Sequence, residues 1–284
     1  MSDRFRVNET AGLLAFLTSH LNGWTRSKVK QRLQSGCVVV NGKSITKHDH
    51  PLNVGDAVEV RATAASGARG SSDLEILYSD RDLIAINKPA GLLSVSTAKE
   101  NTQHALAILR SQLSRSKRPI KLWPVHRLDR DTSGVLLFAT SSEMREAVNA
   151  DWDNAEKTYL AVVEGHPKPG HGTIDQPLRL DSTEYRMHVG RHPDAKRAIT
   201  HYQTQRQVEG RALLELKIDT GRQHQIRAHL AWLGHPVIGD PRYGTSGPRL
   251  GLHALRLSIT APRTGKRLTF ETPAPGAFTR LLDS

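Results

Sequence analysis

His126-Arg127-Leu128-Asp129-Arg130-Asp131-Thr132-Ser133-Gly134 runs directly into Val135-Leu136-Leu137-Phe138-Ala139. A loop crowded with charge thus feeds an unbroken apolar run, and Gly134–Ala139 reads as a buried strand. Working outward, Leu83–Ile86 and Lys157–Glu164 read as further buried strands. Leu214–Asp219 alternates Leu214, Leu216 and Ile218 with Glu215, Lys217 and Asp219, the pattern of a strand with one dry face. Gln223–Leu233 has helical spacing, with Ile226, Leu230 and Leu233 on one face and Gly234 at its stop. Strands and helices follow without a regular βαβ rhythm. The expected class is therefore α+β, with a mixed, largely antiparallel sheet.

Residues 62–73 begin Ala62-Thr-Ala-Ala-Ser-Gly-Ala-Arg-Gly-Ser-Ser72 and hold no large apolar side chain, the composition of a flexible linker. The expected division is a small module at 1–61, the linker at 62–73 and a larger domain at 74–284. In the first segment Ala11–Leu17 reads as helix rather than as the apolar centre of a signal peptide. Thr25 is placed to cap a second helix running to Leu33, with Gly36 to end it. Val29 and Leu33 make its apolar stripe, flanked by Arg26, Lys30 and Arg32. Cys37–Gly42 then reads as a strand entering an Asn41-Gly42 turn, and Cys37 as a packing residue.

The chain carries 40 Lys and Arg against 28 Asp and Glu, a formal charge of +12 over 284 residues. Such a surplus favours a polyanionic partner, because each neutralised phosphate releases counterions. A merely soluble basic protein fits composition equally well. A single cysteine permits neither an intrachain disulfide nor a multi-cysteine zinc site. No stretch is long and apolar enough to span a bilayer as a helix, so a soluble, cytoplasmic protein is expected.

The chemistry centres on Asp129. Cations on both sides of a carboxylate keep it ionised, as a nucleophile or general base requires at neutral pH. On this motif alone, a structural loop ion pair fits equally well. There is no phosphate-binding loop, dinucleotide fingerprint or serine elbow. His224 and His229, five apart, are wrongly spaced for two ligands on one helical face.

The set of motifs decides between the readings. Asn87-Lys-Pro-Ala-Gly-Leu92, His126–Gly134, Lys157-Thr-Tyr-Leu-Ala161, Thr220-Gly-Arg-Gln-His-Gln-Ile-Arg227, Gly234–Gly244 and Leu252-His-Ala254 stand in an order that resembles the RluA family of RNA pseudouridine synthases. The first segment resembles the αL-type RNA-binding module shared with a small-subunit ribosomal protein, through Thr25-Arg26-Ser27, Gly36–Gly42 and Gly55–Val60.

The resemblance implies an enzyme that flips a uridine from RNA, cuts its base from the ribose and rejoins the base through carbon, without cofactor or metal. It makes Asp129 the catalytic aspartate, which either attacks the ring or ribose or abstracts a ribose proton. Tyr159 is implied to lie against the target base and help remove the proton from carbon 5. Arg222 is implied to pair with the aspartate, and Arg127 to fill the gap the uridine leaves. Ile226 is carried over as a substrate contact, and Arg26, Lys30 and Arg32 as RNA contacts. The implied partner is RNA, with large-subunit ribosomal RNA first and transfer RNA second, met by a monomer. A non-catalytic RNA-binding protein would not need Asp129, Tyr159 and Arg222 together, and a methyltransferase would need a donor-binding loop that is absent.

RNA affinity is expected to fall on the order of a thousandfold between low and moderate salt if about six phosphates are neutralised. Titration of labelled RNA across that range checks this, and a flat binding constant would refute it.

Overall fold

A computed structural model of the chain describes residues 3–21, 23–34, 37–45, 47–60, 73–96, 103–114 and 120–283. The chain divides into two compact units, Met1–Ser72 and Asp73–Ser284. The linker expected at 62–73 lies outside the described residues, Asp73 excepted, as does Gly36.

In the smaller unit, helices Leu13–His20 and Arg26–Gln34 pack on a sheet ordered Asp3–Arg6, Ala57–Val60, Val38–Val40, Lys43–Ser44. Val29 and Leu33 are fully buried among Leu13, Leu17, Val38, Val58 and Val60, as their four-residue spacing predicts. Thr25 caps the second helix, its hydroxyl accepting from the Lys28 N–H at 3.3 Å. The first helix begins later than its sequence suggests, because Ala11–Gly12 is drawn into a two-residue pairing with Pro51–Leu52. Asn41 and Gly42 both take positive φ, 48° and 81°, as a tight hairpin turn demands. The Asn41 side chain ties that turn to the next one, donating to Asp56 Oδ1 at 2.7 Å and accepting from the Ala57 N–H at 2.9 Å. Cys37 is buried.

Among the described residues of the larger unit, a sheet of ten strands runs His171–Asp175, Ile199–Val208, Arg211–Ile218, Glu156–Glu164, Leu252–Thr260, Ser133–Ala139, Leu83–Lys88, Glu75–Ser79. Arg267–Glu271 pairs with Leu252–Thr260, and Trp123–Pro124 with Ser133–Ala139. Its pairings are antiparallel except that Ser133 and Gly134 run parallel to His253 and Ala254. This is the mixed, largely antiparallel sheet the alternation implies. Every residue of Ser133–Ala139 is buried, whereas Leu214, Leu216 and Ile218, with Ala212, form the dry face of their strand, against Ile226 and Leu230. The helix of that region spans Gln225–Trp232, two residues shorter at its start than its periodicity suggests. No helix among the described residues is long and apolar enough to cross a membrane.

The parallel contact fixes where the charged loop leaves the sheet. Gly134 has φ +117°, and a Cβ there would lie 2.1 Å from the Ala254 carbonyl oxygen. Only glycine allows this approach. Gly134→Ala is expected to cost on the order of 3 kcal/mol or more, lowering the melting temperature by roughly 10 °C. Thermal unfolding of the variant measures this, and co-melting with the parent chain would contradict the close approach.

Candidate active site

Asp129 sits in the loop that delivers Ser133–Ala139 to the sheet, and the loop is tied down at several points. The Thr132 N–H closes a turn onto the Asp129 carbonyl at 3.2 Å. Ser94 spans the neighbouring backbone, donating to the Leu128 carbonyl at 2.8 Å and accepting from the Leu128 N–H at 3.0 Å. Lys88 is wholly buried and donates to the carbonyls of Leu92, Arg130 and Pro89 at 2.7, 2.9 and 3.0 Å. Burial pushes its ammonium down to about 7, while Asp131 and Asp129 pull the other way. Three acceptor-only oxygens around Nζ match the three donors of an ammonium.

A bound guanidinium holds the carboxylate itself. Arg227 Nη1 donates to Asp129 Oδ2 at 3.0 Å. The rest of the guanidinium makes a bidentate pair with the buried Asp240, Nε to Oδ2 at 2.7 Å and Nη2 to Oδ1 at 2.8 Å. Burial raises the Asp240 carboxyl, but the Arg227 hydrogen bonds and charge, with the N–H groups of Arg242 and Tyr243, outweigh it and hold the group below its usual range. The Tyr243 ring lies under Arg227, with the guanidinium carbon 5.3 Å from its centroid.

The start of the helix explains why Arg227 arrives there. Gln225 spends its buried amide on the turn before it: Oε1 accepts from Thr220 Oγ1 at 2.7 Å and the Arg222 N–H at 3.0 Å, and Nε2 donates to the Ile199 carbonyl at 2.8 Å. His224 takes a left-handed conformation, φ 51°, to enter the helix. Its Nδ1 meets the Tyr243 hydroxyl at 3.1 Å, and its Nε2 lies 3.9 Å from Asp129 Oδ2. The Tyr243 oxygen already accepts from the Met187 N–H at 2.8 Å. Its proton is therefore free for Nδ1, which leaves the Nε2 proton toward Asp129. Burial, with Arg227 and Arg242, lowers the His224 pKa against the pull of Asp129, so the ring is neutral at pH 7.

Asp129, His224 and Arg227 line a cavity of about 920 Å³ that also includes Arg127, Tyr159, Lys157, Trp152 and Arg222. A recess of about 90 Å³ adjoins it, formed by Asp129, Tyr159 and Arg227 over the apolar Ile218, Ile226 and Leu252. Burial, then the charge of Asp129, pushes the Tyr159 phenol up, so it stays protonated at neutral pH.

Asp129, Tyr159, Arg127, Arg222 and Ile226 are therefore brought to one place, but with a correction. Arg227, not Arg222, is the partner of Asp129. Arg222 is exposed and donates through Nε to the Arg197 carbonyl at 3.1 Å, while Arg127 projects exposed at the cavity wall. Ile226 is mostly core, with the recess as its one opening. In the smaller unit Arg26 and Lys30 are exposed and share a groove with Thr18 and His48. Arg32 is half-buried, over the Trp24 ring and 3.5 Å from Cys37 Sγ. Sequence reasoning gave no role to Arg227, Asp240, His224, Tyr243 or Lys88, although all lie in its motifs. Ser94 lies outside those motifs, and nothing marks it in advance.

A fold and cavity of this kind match known proteins. The family described as RNA pseudouridylate synthase matches residues 82–232, and the S4 domain matches residues 12–58. The chain belongs to the RNA pseudouridylate synthase family, of the RluA type, with an S4 domain ahead of the synthase domain. It is accordingly an isomerase of uridines in RNA. It is 34% identical over 285 residues to the uncharacterized RNA pseudouridine synthase YlyB of Bacillus subtilis, covering 95% of this chain and 92% of that one. It is 31% identical over 282 residues to ribosomal large subunit pseudouridine synthase D of Escherichia coli, covering 92% and 86%. It is 38% identical over 223 residues to tRNA pseudouridine synthase C of Haemophilus ducreyi, covering 69% and 89%. The solved structure of human RNA pseudouridylate synthase domain containing 4 superposes with a TM-score of 0.61 at 28% identity, covering 74% of this chain and 92% of that one.

Asp240 gives a pH-dependent test of the bridge. Its carboxyl is lowered on folding from 3.8, so its stabilisation is fully present above that value and fades as pH falls through the lower folded value. Asp240→Asn is expected to cost about 3 kcal/mol at neutral pH, a gap that narrows below pH 3.8. Urea unfolding of both proteins from pH 3 to pH 7 measures the gap. A gap independent of pH would show that the charge is not what matters.

Proposed function

We propose that the Asp129 carboxylate is the reacting group of this enzyme and that its substrate is large-subunit ribosomal RNA. The observation that carries the first part is the pairing of Asp129 with a buried guanidinium at the mouth of a recess floored by Ile218, Ile226 and Leu252. A flat uracil has two apolar faces and a polar edge, and it suits such a recess once flipped out of its stack. Asp129 then acts on the nucleotide while the bond from C1′ of the ribose to N1 of the base breaks. A bond from C1′ to C5 forms after the base turns, and the C5 proton is lost as N1 gains one, so atoms and electrons balance without an outside reactant.

Tyr159 lies against the base in this scheme. Because its phenol is held protonated, it takes up the C5 proton only as it hands its own onward, rather than as a standing base. Arg127 is the side chain that enters the gap left by the uridine, and Arg222 is a phosphate contact at the turn before the helix. Arg26 and Lys30 bind RNA from the smaller unit.

Ribosomal RNA is favoured over transfer RNA by the extent of the matches. The alignment with the ribosomal synthase D covers 92% of this chain, against 69% for the transfer-RNA synthase C. That substrate suits a cytoplasmic enzyme. Pseudouridine mapping of total RNA from cells with and without the gene tests the substrate.

Asp129→Asn keeps the volume and removes the charge, so folding and RNA binding are expected to persist while pseudouridine formation falls below detection. Asp131→Asn is the neighbouring control. Appreciable product from Asp129→Asn, or loss of product only in Asp131→Asn, would overturn the assignment.

A further inference from the structure

Lys157 lies two residues before Tyr159 on the strand Glu156–Glu164, so both side chains leave the same face, and both line the large cavity. The mechanism above uses Tyr159 and leaves Lys157 without a task. Lys157 is 7% exposed, the burial of a core residue. An ammonium has three donors, yet among the described residues its one hydrogen bond is a long one, to the Trp152 carbonyl at 3.4 Å. It rests beside the Trp152 ring, 5.5 Å from the centroid. Among the described residues no carboxylate comes within ion-pair distance, and Asp153 and Asp219 act on it only from further away.

Lys88 shows what a satisfied buried lysine looks like in the same molecule, with three carbonyls at 2.7 to 3.0 Å. A buried charge with unspent donors is costly to keep. Burial accordingly pushes the Lys157 ammonium down. The Trp152 ring is itself packed against His126, stacked at 5.4 Å and 29°. Burial holds that imidazole near 4, so it is neutral and brings no charge of its own. The ammonium is thus set in place by an aromatic support, within a cavity wall, and short of an anion.

Resting on the reading of the cavity as the uridine site, we infer that Lys157 is a phosphate subsite: it donates to a backbone phosphate of the RNA strand flanking the flipped uridine. A nucleotide lifted from its stack carries a phosphate on each side, and a fixed cation beside the recess holds one of them while the base turns. Lys157 is then a substrate-binding residue that sets the register of the strand over Asp129 and Tyr159.

The test uses the full-length protein and a synthetic RNA stem-loop spanning the uridine mapped as above, with a neutral methylphosphonate placed at each flanking linkage in turn. Lys157→Met is compared with the parent chain, and Lys266→Met, an exposed lysine outside the cavity, controls for loss of charge alone. The expected result is a loss of RNA affinity of about ten- to hundredfold in Lys157→Met, with a salt slope smaller by about 0.7. One methylphosphonate should weaken the parent chain and Lys266→Met to a similar degree, yet leave Lys157→Met unchanged. If every methylphosphonate weakens Lys157→Met as much as it weakens the parent chain, or if the salt slope is unchanged, the subsite is refuted. Should Lys157→Met not fold, Lys157→Gln carries the same comparison, and failure of both to fold would make Lys157 a stability residue and overturn the inference. Pseudouridine formation by the parent chain on the unmodified stem-loop reports separately on the catalytic reading, so each can fail alone.

Discussion

A single guanidinium shared by two carboxylates organises this site. Arg227 gives two parallel hydrogen bonds to Asp240 and the remaining arm to Asp129. The fork of an arginine suits this division, since its donors lie in one plane and cannot be turned independently. Asp240 offers no exposed surface, so desolvation costs several kcal/mol per ion and must be offset by geometry. The two N–H groups of Arg242 and Tyr243 complete that geometry on the carboxylate. Asp129 differs in being only partly buried, with Oδ2 held and the rest of the carboxylate facing the cavity. One carboxylate therefore serves to fix the arginine, and the arginine serves to fix the other.

The bridge constrains the backbone on both of its sides. On the arginine side the helix must begin at Gln225, and that start depends on a glutamine amide filling the preceding turn and on a histidine in a left-handed conformation. Such a backbone state is unfavourable for a residue with a Cβ. It persists because Tyr243 holds the His224 ring. On the aspartate side, Lys88 and Ser94 grip the loop carbonyls, and Gly134 lets the strand cross Ala254 at contact distance. Interactions formed before substrate arrives need no reorganisation during the reaction, which is the value of building a carboxylate site from so many fixed contacts.

Much of this was legible in the sequence, for identifiable reasons. The strand Leu214–Ile218 and the stripe of Val29 and Leu33 follow from periodicities that local geometry enforces. The Asn41-Gly42 turn follows from the φ values it requires. Asp129 was legible because its flanking cations and the motif order lie along the chain. The partner of Asp129 was not. Arg222 and Arg227 occupy the same motif, and the choice between them turns on a helix start that periodicity placed two residues early. Arg227 lies 98 residues from Asp129 and Ser94 lies 34 residues from Leu128, and contacts of such separation leave no repeating pattern to read. Lys88 escaped notice because lysine is rarely fully buried, and only the three carbonyls that converge on it explain why this one is.

The distribution of protonation in the cavity connects this architecture to the chemistry. Burial leaves His126, His224 and Tyr159 neutral at pH 7, each for want of solvent around its charged form. The charge near the recess is then carried by groups held by geometry rather than by titration, with Arg227 between its two carboxylates. On the reading proposed above, the neutral rings leave Asp129 and Arg227 as the charges that meet the base in the recess. On the same reading, charge is useful where the substrate is charged, on the phosphates, for which the cavity wall offers Arg222 exposed and Lys157 embedded beside Trp152. On that reading Asp129 and Arg227 face the base, and the cations of the wall stand along the strand, where a phosphate can replace the water they lose.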